Sequence, residues 1–238
     1  PVPDGDTGTN MSLTILNGIS EVSKSGSESL STVAKIFSRG LLMGARGNSG
    51  VILSQIFRGF AQYAKDKEEL TVKEFSEALM NGSKMAYKAV MRPTEGTILT
   101  VVRESAEYGE IYINNHPEAS IEEFVNYIVD EANASLQRTP ELLDVLKEAH
   151  CVDSGAMGYV TILDGFKSCL QGKPITENLA GDTADTEVHE KASGYRVEYI
   201  ISLSDNGKKT FKEERVRKQL EQIANDIQLV VKEEAFTL

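Results

Sequence analysis

The chain has 238 residues, and its 25 Lys and Arg against 36 Asp and Glu give a formal net charge of −11. With 40% hydrophobic residues, it has the composition of a folded protein of one or two domains, and the acid excess argues against a nucleic-acid-binding surface, which needs clustered basic residues. No apolar run approaches the roughly 18 residues of a membrane span, and no signal segment is found. Two cysteines are too few for a disulfide framework. We therefore expect a cytoplasmic protein.

Apolar residues recur at helical spacing from Asn10 to about Lys173, which predicts about eight helices and no strand before residue 190. Residues 71–74 (TVKE) and 120–123 (SIEE) match the capping box and predict two helix starts. Thr139-Pro140 predicts another start, because proline loses no hydrogen bond in the first turn of a helix. Gly172 predicts a helix end. Residues 1–175 are therefore expected to form an all-α domain.

The composition changes after this region. Residues 176–193 are acidic and hold little that could be buried, which predicts a solvated linker. Residues 195–203 and 227–232 are predicted strands, and residues 211–225 lie between them as an amphipathic helix. This β-α-β segment is small for independent folding. We expect residues 194–238 to be the start of an incomplete α+β domain.

Four polar, glycine-containing segments each come directly before a predicted apolar helix. A helix start exposes unpaired backbone amides and the positive end of the helix dipole, which suit phosphate oxygens, and glycine lets the backbone approach a ligand closely. One such segment alone is typical of an ordinary helix connection, but four on one helical scaffold favour a phosphate-binding site. The segments are residues 3–10 (PDGDTGTN), 44–50 (GARGNSG), 92–97 (RPTEGT) and 152–158 (VDSGAMG).

Carboxylates distinguish the first segment. Asp4 and Asp6 flank a glycine, so both can point at one place in an extended turn. Paired carboxylates beside hydroxyl groups suit Mg²⁺ that also binds substrate phosphates. An EF-hand loop is excluded, because the positions that need Gly and Glu hold Thr9 and Ile15, and no segment continues into the Gly-Lys-Ser/Thr of a Walker A loop. An Asx-turn with a helix N-cap remains the structural alternative.

Two arginines lie within the polar segments. Arg46 can neutralise charge on a transferring phosphoryl group, or it can pair with a surface carboxylate. Arg92 can approach the phosphates or act as a cation at a helix C-terminus. The sequence leaves these alternatives open.

The motifs PVPDGDTGTNM, GARGNSGVILSQ, RPTEGTI and VDSGAMGYV, in this order and spacing, resemble the L-subunit domain of dihydroxyacetone kinases. They are most similar to its relative at the N-terminus of bacterial fatty-acid kinase ATP-binding subunits. The resemblance covers roughly residues 1–173, and its first two motifs are quite specific. The segment GYRVEYIISL, followed by a helix, resembles the opening of the middle domain of those subunits.

This resemblance implies a closed barrel of about eight antiparallel helices that binds ATP or ADP at one end. Asp4 and Asp6 would hold two Mg²⁺ ions and, with Arg46, form the catalytic group. The family pattern also has a metal-ligating residue just upstream of this pair, which the present chain does not include. The implied nucleotide-binding residues are Thr7, Gly8, Thr9, Asn10, Gly47, Asn48, Ser49 and Gly50 around the phosphates, and Thr97, Ile98, Asp153, Ser154 and Gly155 near the adenosine.

The implied reaction is Mg²⁺-dependent transfer of phosphate from ATP to the carboxylate of a fatty acid, giving an acyl phosphate. A separate DegV-type carrier protein would present the fatty acid, and no sequence feature marks an apolar tunnel in this chain. A dihydroxyacetone kinase subunit and a non-catalytic ATP-binding regulatory module are the alternatives. The sequence does not fix the oligomeric state, since a homodimer could form through regions absent from this chain.

Overall fold

A computed structural model describes residues 5–173 and 211–220, and both ranges are all-α, with no strand among these residues. This confirms the predicted fold class and the expected number of helices in the first domain. The helices are α1 (Thr7–Ser25), α2 (Leu30–Met43), α3 (Gly47–Tyr63), α4 (Val72–Ala89), α5 (Ile98–Asn115), α6 (Ile121–Leu142), α7 (Asp144–Glu148), α8 (Ser154–Leu170) and α9 (Glu213–Leu220).

Both predicted capping boxes are present. The side chains of Thr71 and Ser120 accept hydrogen bonds from the amides of Glu74 and Glu123, whose carboxylates bond back to the cap residues. A hydrogen bond from Lys67, followed by those from Thr71, lowers the pKa of Glu74 to about 2, so this cap stays ionised at neutral pH. The predicted end of α8 is also confirmed, because Gly172 has φ +70° just after Leu170.

The helix start predicted at Thr139-Pro140 is wrong. α6 continues to Leu142 with Pro140 inside its last turn. Pro140 has no N–H to donate to the carbonyl of Leu136 four residues earlier, but the Thr139 hydroxyl donates to that oxygen at 2.7 Å. The hydroxyl that was expected to cap a new helix therefore replaces the bond that proline removes.

The long helices close into a ring. Each helix from α1 to α6 packs on the next, and α8 packs on both α6 and α1. Two contacts show that α3 and α4 run in opposite directions. Tyr63, late in α3, bonds Glu77, whereas Asn81, later in α4, donates to the carbonyl of Gly59, earlier in α3. Such an up-and-down arrangement is typical of helices joined by short connections. The fold is therefore the closed helical barrel that the resemblance implied, with α7 as a short insert between α6 and α8.

The interior of the barrel is apolar and closely packed over much of its length. Leu53, Val101, Ile128 and Leu163, from four different helices, are 0–1% exposed and belong to one continuous core. Burial of such side chains is the main stabilising contribution to a fold of this kind. This core fixes the helix ends that carry the polar segments.

One part of the interior is not filled. An apolar cavity of about 670 Å³ lies toward the end of the barrel where α1 and α8 finish and where α2, α4 and α6 begin. Its presence could not be predicted from the sequence, because its wall is assembled from residues of several helices. Its lining includes Ile19, Val22, Leu30, Val33, Phe166 and Leu170.

α9 lies within the predicted helix 211–225, and the rest of the predicted second domain falls outside the described residues, as do the linker and both strands. Within residues 5–173 and 211–220, no helix is long and apolar enough to cross a membrane.

Candidate functional site

The four polar segments lie at one end of the barrel. In an antiparallel ring every second connection falls at the same end, so the starts of α1, α3, α5 and α8 share it. Close contacts join them: a Cβ on Gly47 would lie 2.6 Å from Asn10 Nδ2, and one on Gly155 would lie 3.4 Å from Ile98 Cβ. The fold therefore gathers the segments that the sequence singled out.

A buried hydroxyl fixes the starts of α1 and α3 side by side. Thr14 is 0% exposed, and its Oγ1 donates to the Asn10 carbonyl at 2.7 Å and accepts from the Arg46 amide at 3.3 Å. A Cβ on Gly50 would lie only 2.5 Å from this oxygen, so the close approach requires glycine. The first turn of α3 is thereby held against the first turns of α1.

Asp6 stands at the N-cap of α1, but its side chain does not cap the helix. The carboxylate instead accepts a hydrogen bond from Asn10 Nδ2 at 2.6 Å, and the residue is half-buried. The Asp6 carboxylate therefore does not cap the amides of α1 in the way that the structural alternative for this segment required. Asn10 orients the carboxylate and also contacts the α3 start at Gly47.

The four helix starts fall into two pairs. The N-cap residues of α1 and α3, Asp6 and Arg46, make no side-chain cap bond, whereas Thr97 caps α5 and Asp153 caps α8. First-turn amides have no partner within their own helix, and such a helix start attracts anions. The first-turn amides of α1 and α3 therefore lie near each other without a side-chain cap.

Asp153 caps the start of α8. Its carboxylate accepts from the Ala156 amide at 2.8 Å. Burial raises the pKa of Asp153 above its ordinary value, although the hydrogen bond from the Ala156 amide acts in the opposite direction. Thr139 on α6 accepts from the Asp153 amide at 3.1 Å. Asp153 therefore joins the start of α8 to α6, beside Ile98 at the start of α5.

Arg46 is exposed at the start of α3, and its guanidinium forms no ion pair with any residue in the described ranges. The alternative of a surface pair therefore finds no support in this part of the chain. Arg92 is also exposed and lies beyond Val90, the C-cap of α4, so Lys88 is the basic residue of the last helical turn.

The remaining predicted residues differ in how accessible they are. The side chain of Ile98 is 3% exposed, so it packs in the core and does not face the site end. Thr7, Gly50 and Gly155 are buried, Asn10, Ser49 and Thr97 are half-buried, and Gly8, Thr9, Asn48 and Ser154 are exposed.

The described donors suit a hard cation only in part. Asp6, with the oxygens of Thr9 and Asn10 nearby in sequence, is the donor type that Mg²⁺ prefers. Asp4 lies outside the described residues, and within them no group of three or more Asp, Glu, His or Cys is arranged so that it could hold a metal ion. The two-ion metal site stays a prediction.

Sequence reasoning missed Thr14 and the bond between Asp153 and Thr139. Thr14 stands between Leu13 and Ile15 in an apolar stretch, where a threonine is easily taken for a packing residue. Its spacing of four residues from Asn10 was the available signal, since these positions share a helix face. The bond from the Asp153 amide to Thr139 joins the start of α8 to α6 and has no local pattern.

Comparison with known proteins agrees with the motifs. The model of the family described as "DAK2 domain" matches residues 1–168. Uncharacterized proteins of Staphylococcus aureus strains USA300 and N315 are each 41% identical over 246 residues, covering 98% of this chain and 44% of the relative. The chain thus spans less than half the length of these curated relatives. It belongs to the DAK2 domain family of dihydroxyacetone-kinase-like nucleotide-binding modules.

Proposed function

We propose that this domain is a Mg²⁺-dependent ATP phosphotransferase whose phosphate site lies between the starts of α1 and α3. The observation that carries this proposal is the adjacency of two helix starts without side-chain caps, locked together through Thr14. Phosphoryl transfer needs little covalent help from protein, so positioning and charge neutralisation supply most of the catalysis. A pair of converging helix starts provides both.

We assign the predicted residues of the first two polar segments to the phosphates and the metal. Amides of Thr7, Gly8 and Thr9 and of residues 47–50 would bind phosphate oxygens. Asp6, oriented by Asn10, would hold Mg²⁺ together with Asp4, and bound Mg²⁺ neutralises phosphate charge. Arg46, which has no ion pair within the described residues, would contact the transferring phosphoryl group.

The second pair of helix starts would hold the nucleoside. Thr97 and Asp153 satisfy the first-turn amides of α5 and α8, so this side offers less positive potential to phosphates than the α1 and α3 side does. Exposed Ser154 and half-buried Thr97 supply hydroxyl groups near the site. Ile98 and Gly155 would act through the packing of α5 against α8.

For the acceptor, we propose the carboxylate of a fatty acid presented by a DegV-type carrier protein. The apolar cavity is lined by Ile19 and Phe166 toward the end opposite the four polar segments, and by Ile56 and Tyr159 nearer the middle of the barrel. The proposed acceptor therefore rests on the resemblance of the motifs and not on this cavity.

The test is acyl phosphate formation by the intact protein, with Mg²⁺, ATP and a carrier protein loaded with a fatty acid, measured by trapping the product with hydroxylamine. We expect product only when all four components are present. Transfer to dihydroxyacetone but not to the fatty acid would replace the proposed acceptor. ATP binding without transfer to either acceptor would favour the regulatory module and contradict the phosphotransferase.

A further inference from the structure

A carboxylate in the α4–α5 connection accepts three hydrogen bonds. Glu95 receives them from the Thr100 hydroxyl at 2.6 Å, the Arg103 guanidinium at 3.1 Å and the Tyr87 hydroxyl at 3.0 Å. Burial raises its pKa, but the bonds from Thr100, Arg103 and Tyr87 outweigh this and lower the pKa below its ordinary value. The charge of Glu95 is thus built into the connection. Glu95 lies in the third polar segment (residues 92–97), and its three partners lie outside the four polar segments.

The cluster formed by Glu95 and its three hydrogen-bond partners also holds Gly96 in place. The Gly96 amide donates to Thr100 Oγ1 at 2.8 Å, the same oxygen that donates to Glu95. Gly96 has φ +79°, a region that favours glycine, and a Cβ there would lie 2.9 Å from the Thr139 carbonyl and 2.7 Å from Leu143 Cβ. The connection is therefore pressed against the end of α6 in one defined conformation.

The conformation of Gly96 sets the start of α5. Thr97, the next residue, is the N-cap and accepts from the Leu99 amide at 3.3 Å, and Ile98 lies against Gly155 of α8. Thr139, which lies against Gly96, also accepts from the Asp153 amide. A continuous set of contacts thus runs from Glu95 through Gly96 and Thr139 to Asp153.

We propose that Glu95 is a positioning residue for nucleotide affinity, holding the start of α5 against α8 so that the nucleoside side of the site is formed before ATP arrives. The inference rests on the proposed function, since it assigns the α5–α8 side to the nucleoside. Glu95 touches neither the phosphates nor the reacting atoms in this scheme. Its removal should therefore weaken ATP binding without changing the chemical step.

The test compares Glu95→Gln with Glu107→Gln in the intact protein. Glu107 pairs with the same Arg103, at 3.0 Å, and lies on α5 outside the α4–α5 connection, so it is a matched control for a lost ion pair. We expect Glu95→Gln to raise the Kd for ATP, measured by calorimetry, by about tenfold. This rise corresponds to the loss of roughly one charge-assisted hydrogen bond. The kcat should stay within about twofold, and Glu107→Gln should bind ATP as the wild type does.

Thr100 provides a second pair of variants. Thr100→Ser keeps the hydroxyl and should bind ATP normally, whereas Thr100→Val removes it and should weaken binding as Glu95→Gln does. An unchanged Kd in Glu95→Gln and Thr100→Val, or an equal rise in Glu107→Gln, would overturn the inference while leaving the proposed function standing. A wild-type protein that does not bind ATP would overturn both.

Discussion

Replacing Asp6 with alanine should reduce phosphoryl transfer by about 10³-fold, because a bound metal contributes several kcal/mol of charge stabilisation in the transition state. The structure explains why the loss should be specific. The Asp6 side chain makes no cap bond to α1, so the helix does not depend on it, and its contact with Asn10 Nδ2 is half-buried and local. Circular dichroism and thermal unfolding should therefore match the wild type closely.

Two control variants show whether the loss of activity comes from the charge of Asp6. Asp6→Asn keeps the shape of the side chain but removes its charge, and it should lose nearly as much activity as Asp6→Ala. Asp130 is an exposed carboxylate on α6, and Asp130→Ala should have full activity. Excess Mg²⁺ should partly restore Asp6→Asn if the carboxylate binds metal. Asp6→Ala with wild-type transfer rates would show that the metal site is misplaced.

Replacing Gly59 with valine should destabilise the barrel by about 3 kcal/mol and lower the unfolding midpoint by roughly 6–12 °C. A Cβ at Gly59 would lie 2.5 Å from the Asn81 carbonyl oxygen and 2.7 Å from Gly82 Cα. Both atoms belong to the backbone of α4, so they can yield only if the helix moves. Asn81 also donates to the Gly59 carbonyl at 2.7 Å, which would be broken by such a movement.

Gly165 in α8 is the matched control. No atom lies within 4 Å of a Cβ built there, so Gly165→Ala should only improve helix propensity, by about 0.8–1.0 kcal/mol, and raise the midpoint by roughly 2–4 °C. Differential scanning calorimetry of both variants measures the effect. Equal midpoints for Gly59→Val and the wild type would mean that α3 and α4 do not approach as the structure shows.

Much of the fold follows from local chemistry. The reciprocal bonds of Thr71 with Glu74 and of Ser120 with Glu123 involve residues three apart, so the sequence alone can specify them. The four polar segments are also runs of adjacent residues, so they can be recognised in the sequence. Once the helices form an antiparallel ring, these segments lie at one end of it. The candidate site could therefore be predicted as a set of segments.

Contacts between distant residues could not be predicted in this way. The Thr139 hydroxyl replaces the bond lost at Pro140, although the same dipeptide is a good helix start by local rules. The apolar cavity depends on how several helices pack. Asp153 was correctly placed at a helix start, but the bond from its amide to Thr139 of α6 depends on how α6 and α8 pack.

A crystal structure of this protein with Mg²⁺ and a non-hydrolysable ATP analogue would test most directly whether the phosphates bind between the starts of α1 and α3. We predict that the phosphates lie between the starts of α1 and α3, with Mg²⁺ on Asp6 and with Arg46 facing the γ-phosphate. The nucleoside should lie toward Thr97 and Asp153. Phosphates bound anywhere else on the barrel would contradict this account.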